Sequence, residues 1–352
     1  MLAAGVLTAA SALACANPGA PPGGPVDITA PRLLRIAPDS GREAVTPREV
    51  VFRFDEVVSE RPAAVTSLAR LFLISPENGT PVVDWNRSEV SVRPRRGWRP
   101  NTIYTVTLLP GITDLRGNAS TVGGVTVFST GGPIPETRVR GRAFDWAAGR
   151  PAPGAIVQAI TPDSVVYVTV ADSAGLFTLS HLPPGQYTLQ AVIDMNRSGS
   201  LDPGEPFDTL GVHLVDTLTV QLAAFVRDSV APRLSGVTAR DSLTLLAAFD
   251  LPLDPAQEFA ASQFTVVGPD SLPIAVLNAV PEVADTVAIP LPRPIPPRVV
   301  RLELAAPLTP GTAYRVSARG LRGLAGFAGE SERLLRTAER PDQPARPEQP
   351  EP

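Results

Sequence analysis

The chain has 352 residues, 43% of them hydrophobic, which is enough to bury cores in two or three domains of ordinary size. Its net charge of -4 is mild, every basic residue is arginine, and no basic run interleaved with aromatics occurs, so nucleic acid is excluded as an expected partner. The single cysteine rules out an internal disulfide, and the 40 prolines are about twice the usual share, with aromatics sparse at 5%.

Leu2 to Ala14 is a short, alanine-rich apolar stretch, too short to span a bilayer as a helix. It reads as the apolar region of an export signal covering residues 1–14. Cys15 follows directly, and Ala12-Leu-Ala-Cys15 resembles a bacterial lipobox, in which the signal is cut before the cysteine and the thiol is lipidated. Two departures from that pattern stand: Ala12 occupies a position where Leu is usual, and no positive charge precedes the apolar run. The resemblance implies a lipid anchor at Cys15, the membrane as a partner, and an exported outer-membrane lipoprotein of the cell envelope. Residues 15–28 are then a Gly/Pro-rich tether reaching about 20 Å as a coil and about 40 Å extended.

From Thr29 the texture changes to short alternating runs separated by Pro, Gly, Asn and Asp. Val50–Phe54, Leu71–Ile74, Glu89–Arg93, Ile103–Leu108 and Val125–Phe128 are strand candidates, and their spacing predicts a β-sandwich. Phe52, Phe54, Tyr104, Val106 and Phe128 are the expected inward residues. The densest basic cluster, Arg93-Pro-Arg95-Arg96, sits beside Gly97 and reads as a solvated turn. Ala37-Pro-Asp-Ser-Gly41, Val51-Phe-Arg-Phe-Asp-Glu56, Arg99-Pro-Asn-Thr-Ile-Tyr104, Ile112-Thr-Asp-Leu-Arg-Gly-Asn118 and Phe128-Ser-Thr130 resemble the bacterial Ig-like domain of S-layer proteins, the SbsA type. The resemblance spans residues 29–131 and implies a structural or binding module without catalytic residues.

Residues 137–226 have their own pattern. Val139–Phe144, Pro153–Ile160, Ala171–Leu179 and Leu182–Leu189 are punctuated by turns at Asp172–Gly175 and Pro183–Gly185. These runs resemble the carboxypeptidase regulatory-like, transthyretin-like sandwich, an accessory domain whose name implies no peptidase activity. Inside it lies D-M-N-R-S-G-S-L-D-P-G-E, from Asp194 to Glu205, with strand-like flanks Tyr187–Ile193 and Phe207–Val215. Calcium takes six to eight oxygen ligands, and a twelve-residue loop supplies them from positions 1, 3, 5, 7, 9 and 12. Those positions hold Asp194, Asn196, Ser198, Ser200 through its carbonyl, Asp202 and Glu205, with Gly199 at the sharp turn and Leu201 as the expected apolar anchor. Ca2+ is therefore the one expected cofactor; a polar turn between two strands gives a similar composition and is the competing reading. At millimolar external calcium, an extracellular-type site adds only about 0.4–1.4 kcal/mol, so the expected role is stiffening rather than switching.

Residues 229–338 repeat the first module in fainter form. Ala231-Pro-Arg-Leu234 echoes Ala30-Pro-Arg-Leu33, Ala248-Phe-Asp250 echoes Arg53-Phe-Asp55, and Leu308–Val316 echoes Trp98–Val106. The Asp and Asn of the turn at Asp114–Asn118 have no counterpart, and the proline-rich run Pro290–Pro297 predicts an edge strand replaced by extended chain. Residues 339–352 read as a disordered tail.

No catalytic constellation emerges: His181 and His213 are far apart in sequence, and no nucleophile elbow, phosphate loop or H-E-x-x-H is present. Trp85, Trp98 and Trp146 each fall near a turn, where packing at a sandwich end is favoured over a sugar platform. The expectation is an all-β chain of tandem Ig-like β-sandwiches in three modules. It is not an enzyme but a non-catalytic, lipid-anchored envelope protein meeting an envelope protein or a glycan. The competing readings are a glycan- or peptide-binding surface lipoprotein and an accessory subunit of an envelope enzyme.

Overall fold

A computed structural model describes residues 26–63, 65–283 and 293–339. The expected export signal, Cys15, most of the tether and nearly all of the expected tail lie outside the described residues. Among the described residues there is no α-helix, and no helix is long and apolar enough to cross a membrane.

The first sandwich is built from β1 (Leu33–Ala37), β2 (Val50–Phe54), β3 (Phe72–Ser75), β4 (Val82–Asn86), β5 (Glu89–Arg93), β6 (Ile103–Leu108) and β7 (Gly124–Ser129). Its sheets run β1-β2-β5-β4 and β3-β6-β7. In β6 every second residue is buried, and Phe52, Phe54, Tyr104, Val106 and Phe128 all point inward as the alternation predicts. Each large side chain so buried contributes about 1.5–3 kcal/mol. β1 and β4 escape sequence reading because they are half-exposed edge strands with no clean alternation.

The middle sandwich contains β8 (Arg138–Asp145), β9 (Arg150–Pro151), β10 (Ile156–Ile160), β11 (Val166–Val170), β12 (Leu176–Ser180), β13 (Gly185–Val192), β14 (Phe207–Leu214) and β15 (Thr217–Ala224). One sheet runs β11-β10-β13-β14; the other runs β12-β8-β15, with β9 paired to β8. β15 lies parallel to β8, from Thr217 beside Arg138 to Ala224 beside Asp145. The turn at Asp172–Gly175 closes as expected. Gly175 N donates to the Asp172 carbonyl, and the Asp172 carboxylate takes the amides of Ala174 and Leu176.

The third sandwich comprises β16 (Leu234–Ala239), β17 (Thr244–Phe249), β18 (Phe264–Val267), β19 (Pro273–Ile274), β20 (Val276–Glu282), β21 (Val299–Leu304), β22 (Ala313–Arg322) and β23 (Ala328–Arg336). Its sheets, β16-β17-β21-β20 and β19-β18-β22-β23, follow the order of the first sandwich with β19 added at one edge. The expectation of a lost edge strand is therefore corrected. β20 occupies that edge upstream of the proline-rich run, and of that run residues 293–297 are described, lying outside any strand.

The two outer sandwiches share bonds atom for atom. Arg32 N donates to Asp55 Oδ1 at 2.8 Å, and Arg233 N to Asp250 Oδ1 at 2.7 Å. The Tyr104 hydroxyl accepts from Arg99 N at 2.7 Å, and the Tyr314 hydroxyl from Thr309 N at 2.9 Å. The Thr130 hydroxyl ties Arg99 O to the amide of Thr102, as the Thr337 hydroxyl ties Thr309 O to the amide of Thr312. Both copies carry a bulge at the start of the first hairpin, between Leu33 and Arg35 and between Leu234 and Gly236.

The sandwiches also join one another. Just after β3, Glu77 N donates to Val166 O at 2.6 Å and Ser75 Oγ accepts from Val168 N at 3.0 Å, so two edge strands, β3 and β11, meet. At the other junction Trp146, 8% exposed, packs with Phe225, donates to Pro294 O at 2.9 Å and lies under the Arg293 guanidinium.

Because each tyrosine hydroxyl caps a backbone amide in a half-buried corner, Tyr104→Phe and Tyr314→Phe should each cost about 1–3 kcal/mol in urea denaturation. Equal losses in the two variants would report the same corner in both copies.

Candidate functional site

β13 and β14 pair from Gly185 opposite Leu214 to Val192 opposite Phe207, and residues 193–206 bridge their ends. Ile193 N donates to Pro206 O at 2.9 Å and closes the neck of the loop. Above this neck the chain turns at Arg197, Gly199 and Gly204, all with positive φ, and the +83° of Gly199 is the sharp turn that the spacing demands. The expected ligand residues face one another through hydrogen bonds. Asp194 Oδ1 and Oδ2 take the amides of Ser198 and Gly199 at 3.0 and 2.8 Å. Asn196 Oδ1 takes Ser198 N at 2.8 Å, and its amide nitrogen donates to Asp202 Oδ2 at 2.8 Å. Glu205, 5% exposed, takes Met195 N on one oxygen and Asp202 N on the other. Ser198 Oγ donates to the Ser200 carbonyl at 3.1 Å. The Ser198 hydroxyl and the Asn196 amide hold the Asp202 carboxyl below its usual range.

The donor set suits a hard cation in kind, since all six residues offer oxygen and a carboxylate oxygen has two lone pairs, of which one bond uses one. The spacing is another matter. Asp194, Asp202 and Glu205 do not form a set whose oxygens all lie within 4.8 Å of one another. To hold an ion, Asn196 and Asp202 would exchange their mutual bond for it. Leu201 corrects its expectation, being 38% exposed rather than an anchor in the core. The loop is instead secured from outside: Arg70 of the first sandwich donates through Nη1 to Ser198 O at 2.8 Å. That contact spans 128 residues, and no local pattern announces it.

Among the described residues, Asp27, Glu56 and Asp114 are the carboxylates whose oxygens do lie within 4.8 Å of one another. Burial raises Asp114, but bonds from the Asn118 side chain and amide and from the Arg116 amide outweigh it, leaving the carboxyl below its usual range. Burial, then the charges of Asp27 and Asp114, push Glu56 up. Its neighbour Asp55 is held by Arg32, so the adjacent acids point to different partners, as residues on a strand end do.

The two histidines and three tryptophans lie at separate places in the fold. His181 sits against the Pro135 carbonyl at 2.7 Å, and His213 lies on β14. Trp85 donates to Val58 O at 2.9 Å, and Trp98 packs edge-on against Tyr104 and Phe128. With Trp146 at the junction to the third sandwich, the three tryptophans serve three different packing sites. The Arg93–Arg96 cluster is a turn closed by Gly97 N on Pro94 O.

Two of the sandwiches match family models. Residues 27–130 match the bacterial Ig-like domain, and residues 138–204 match the carboxypeptidase regulatory-like domain, which ends one residue short of Glu205. Both are Ig-like or regulatory types rather than catalytic ones. No curated protein matches the chain. Solved structures similar in part include the N-terminal part of the bacterial S-layer protein SbsC, at 20% identity over 31% of this chain and 24% of that one, with a TM-score of 0.24. An L,D-transpeptidase from Mycobacterium smegmatis gives 17% identity over 56% of this chain and 77% of that one, with a TM-score of 0.22. A putative carbohydrate binding protein from Bacteroides uniformis gives 10% identity over 57% and 99%, with a TM-score of 0.20. The chain thus spans about a quarter of the S-layer structure it matches.

A raised carboxyl destabilises the fold only where it is ionised, so the cost of Glu56 appears as pH rises from 4.5 through its folded value. Glu56→Gln should therefore raise the melting temperature at pH 7, and the gain should vanish at pH 3.5 in the same thermal scan.

Proposed function

We propose that this chain is a non-catalytic, lipid-anchored protein of the cell envelope, whose three sandwiches form a structural or interaction module held off the membrane by the tether. The observation that carries this reading is the way the sandwiches are joined. The first and middle share backbone bonds across β3 and β11, and the middle and third share a buried indole. A jointed set of binding domains needs freedom at its joints, whereas a spacer needs joints that hold. The two matched domain types belong with that reading.

The anchor in this reading is Cys15, and the loop from Asp194 to Glu205 is a calcium site that stiffens the middle sandwich where Arg70 touches it. The ion's part would be to neutralise Asp194, Asp202 and Glu205 together. The chain's own part is to hold Asp194 and Glu205 in place through backbone amides before any ion arrives.

Cells fed a palmitate analogue should label this protein in the membrane fraction, and Cys15→Ser should lose both the label and the membrane association. Label that survives the substitution would remove the anchor from the proposal. For the loop, 1 mM calcium against chelator should raise the melting temperature by a few degrees, consistent with about 0.4–1.4 kcal/mol. Asp194→Ala should erase the difference, and an identical scan with and without calcium in the native chain would return the loop to an ordinary turn.

A further inference from the structure

Between the first and middle sandwiches, above the β3–β11 join, lies a cleft of about 440 Å3, within the ~300–1,000 Å3 range of small-molecule sites. Its apolar lining comes from both sides: Val65, Ala69 and Leu73 from the first sandwich, Ile156, Val168 and Val170 from the middle one. The second set is informative. Ile156 pairs with Val170 across β10 and β11, one step out of phase with the inward residues Val157 and Ala159 of that sheet's own core. Such outer positions on a sandwich are ordinarily polar, because alternate residues face water. Here Val168, 9% exposed, lies beside the join at the floor of the cleft, while Ile156 and Val170 are half-buried along it.

Four charged groups line the cleft, Arg70, Glu77, Asp194 and Arg197, and they divide by position and by their existing bonds. Arg70, exposed, donates one N–H to Ser198 O and among the described residues forms no ion pair, although a guanidinium carries five donors. Asp194 has both oxygens engaged by the amides of Ser198 and Gly199. Glu77 takes the Gln158 amide at 3.3 Å, and burial pushes its carboxyl up, toward the neutral form. The cleft therefore offers an apolar floor, with the Arg70 and Arg197 guanidinium groups and the amide-bonded Asp194 carboxylate at the loop end and the Glu77 carboxyl, pushed toward its neutral form, elsewhere.

We propose that this cleft binds a small acyl-chain carboxylate, with the hydrocarbon against Ile156, Val168, Val170 and Leu73 and the carboxylate on Arg70. The cleft shares Asp194, Ser198 and Ser200 with the loop assigned to calcium, so decanoate binding is measured in chelator, where no ion contributes, and it does not involve lipidation at Cys15. Arginine suits the role because its planar fork meets both oxygens of a carboxylate at once. The hydrocarbon end needs only the apolar surface already present.

Isothermal titration of the purified full chain, using decanoate as the probe, should show one site per chain. Decylamine, with the same chain length and the opposite charge, should not saturate. Arg70→Gln changes an exposed side chain, so the fold should persist by circular dichroism while decanoate binding weakens at least about tenfold. Ala69→Trp should fill the cleft and abolish binding; if that variant fails to fold, Thr66→Trp on the exposed rim replaces it. Equal binding of decanoate and decylamine, decanoate affinity unchanged by Arg70→Gln, or no saturable heat with either probe would each overturn the proposal.

Discussion

Two hydrogen bonds organise the half of the molecule that carries the candidate sites: Glu77 N to Val166 O, and Val168 N to Ser75 Oγ. Edge strands expose unpaired backbone groups, and burying them unpaired costs more than the bond is worth when made. Joining β3 to β11 satisfies both edges at once and fixes how the first sandwich stands over the middle one. That constraint sets Ile156, Val168 and Val170 against the first sandwich, leaves the cleft beside them, and brings Arg70 within reach of Ser198. Without the join, Ile156, Val168 and Val170 would be an exposed patch rather than the wall of a site.

The repetition of one sandwich at both ends shows what a diverged copy must keep. Core side chains have been exchanged, as Trp98 for Leu308, yet the carboxylate of Asp55 or Asp250, the hydroxyl of Tyr104 or Tyr314 and the hydroxyl of Thr130 or Thr337 stand at the same bonds. Apolar packing tolerates substitution when volume is roughly kept, whereas a side chain that closes a corner on a backbone amide has few replacements with an acceptor at the same point. The turn held by Asp114 and Asn118 is the exception: in the third sandwich, Gly323 N and Phe327 O close the corresponding turn through backbone alone.

This difference explains which parts were legible in the sequence. Inward strands such as β2, β5 and β6 alternate and were readable, as were the repeats that carry Asp250 and Tyr314. β1, β4, β11 and β15 were not: the first two are half-exposed edges, and the outer face of β11 is apolar, so its alternation is blurred. In the loop, spacing marked the sharp turn at Gly199, whereas the outward Leu201 was not foreseen and the external hold by Arg70 depends on a neighbour 128 residues away. The meeting of Asp27, Glu56 and Asp114 is equally invisible in sequence, because tertiary packing alone brings the three together.

The parallel pairing of β8 with β15 has a mechanical consequence. The chain enters the middle sandwich at Arg138 and leaves it at Ala224, at opposite ends of two strands that run side by side in the same direction. Tension drawn through the backbone from one outer sandwich to the other would slide these strands lengthwise. Every rung of that ladder would then share the load together, where an antiparallel hairpin pulled from its open end would yield one rung at a time.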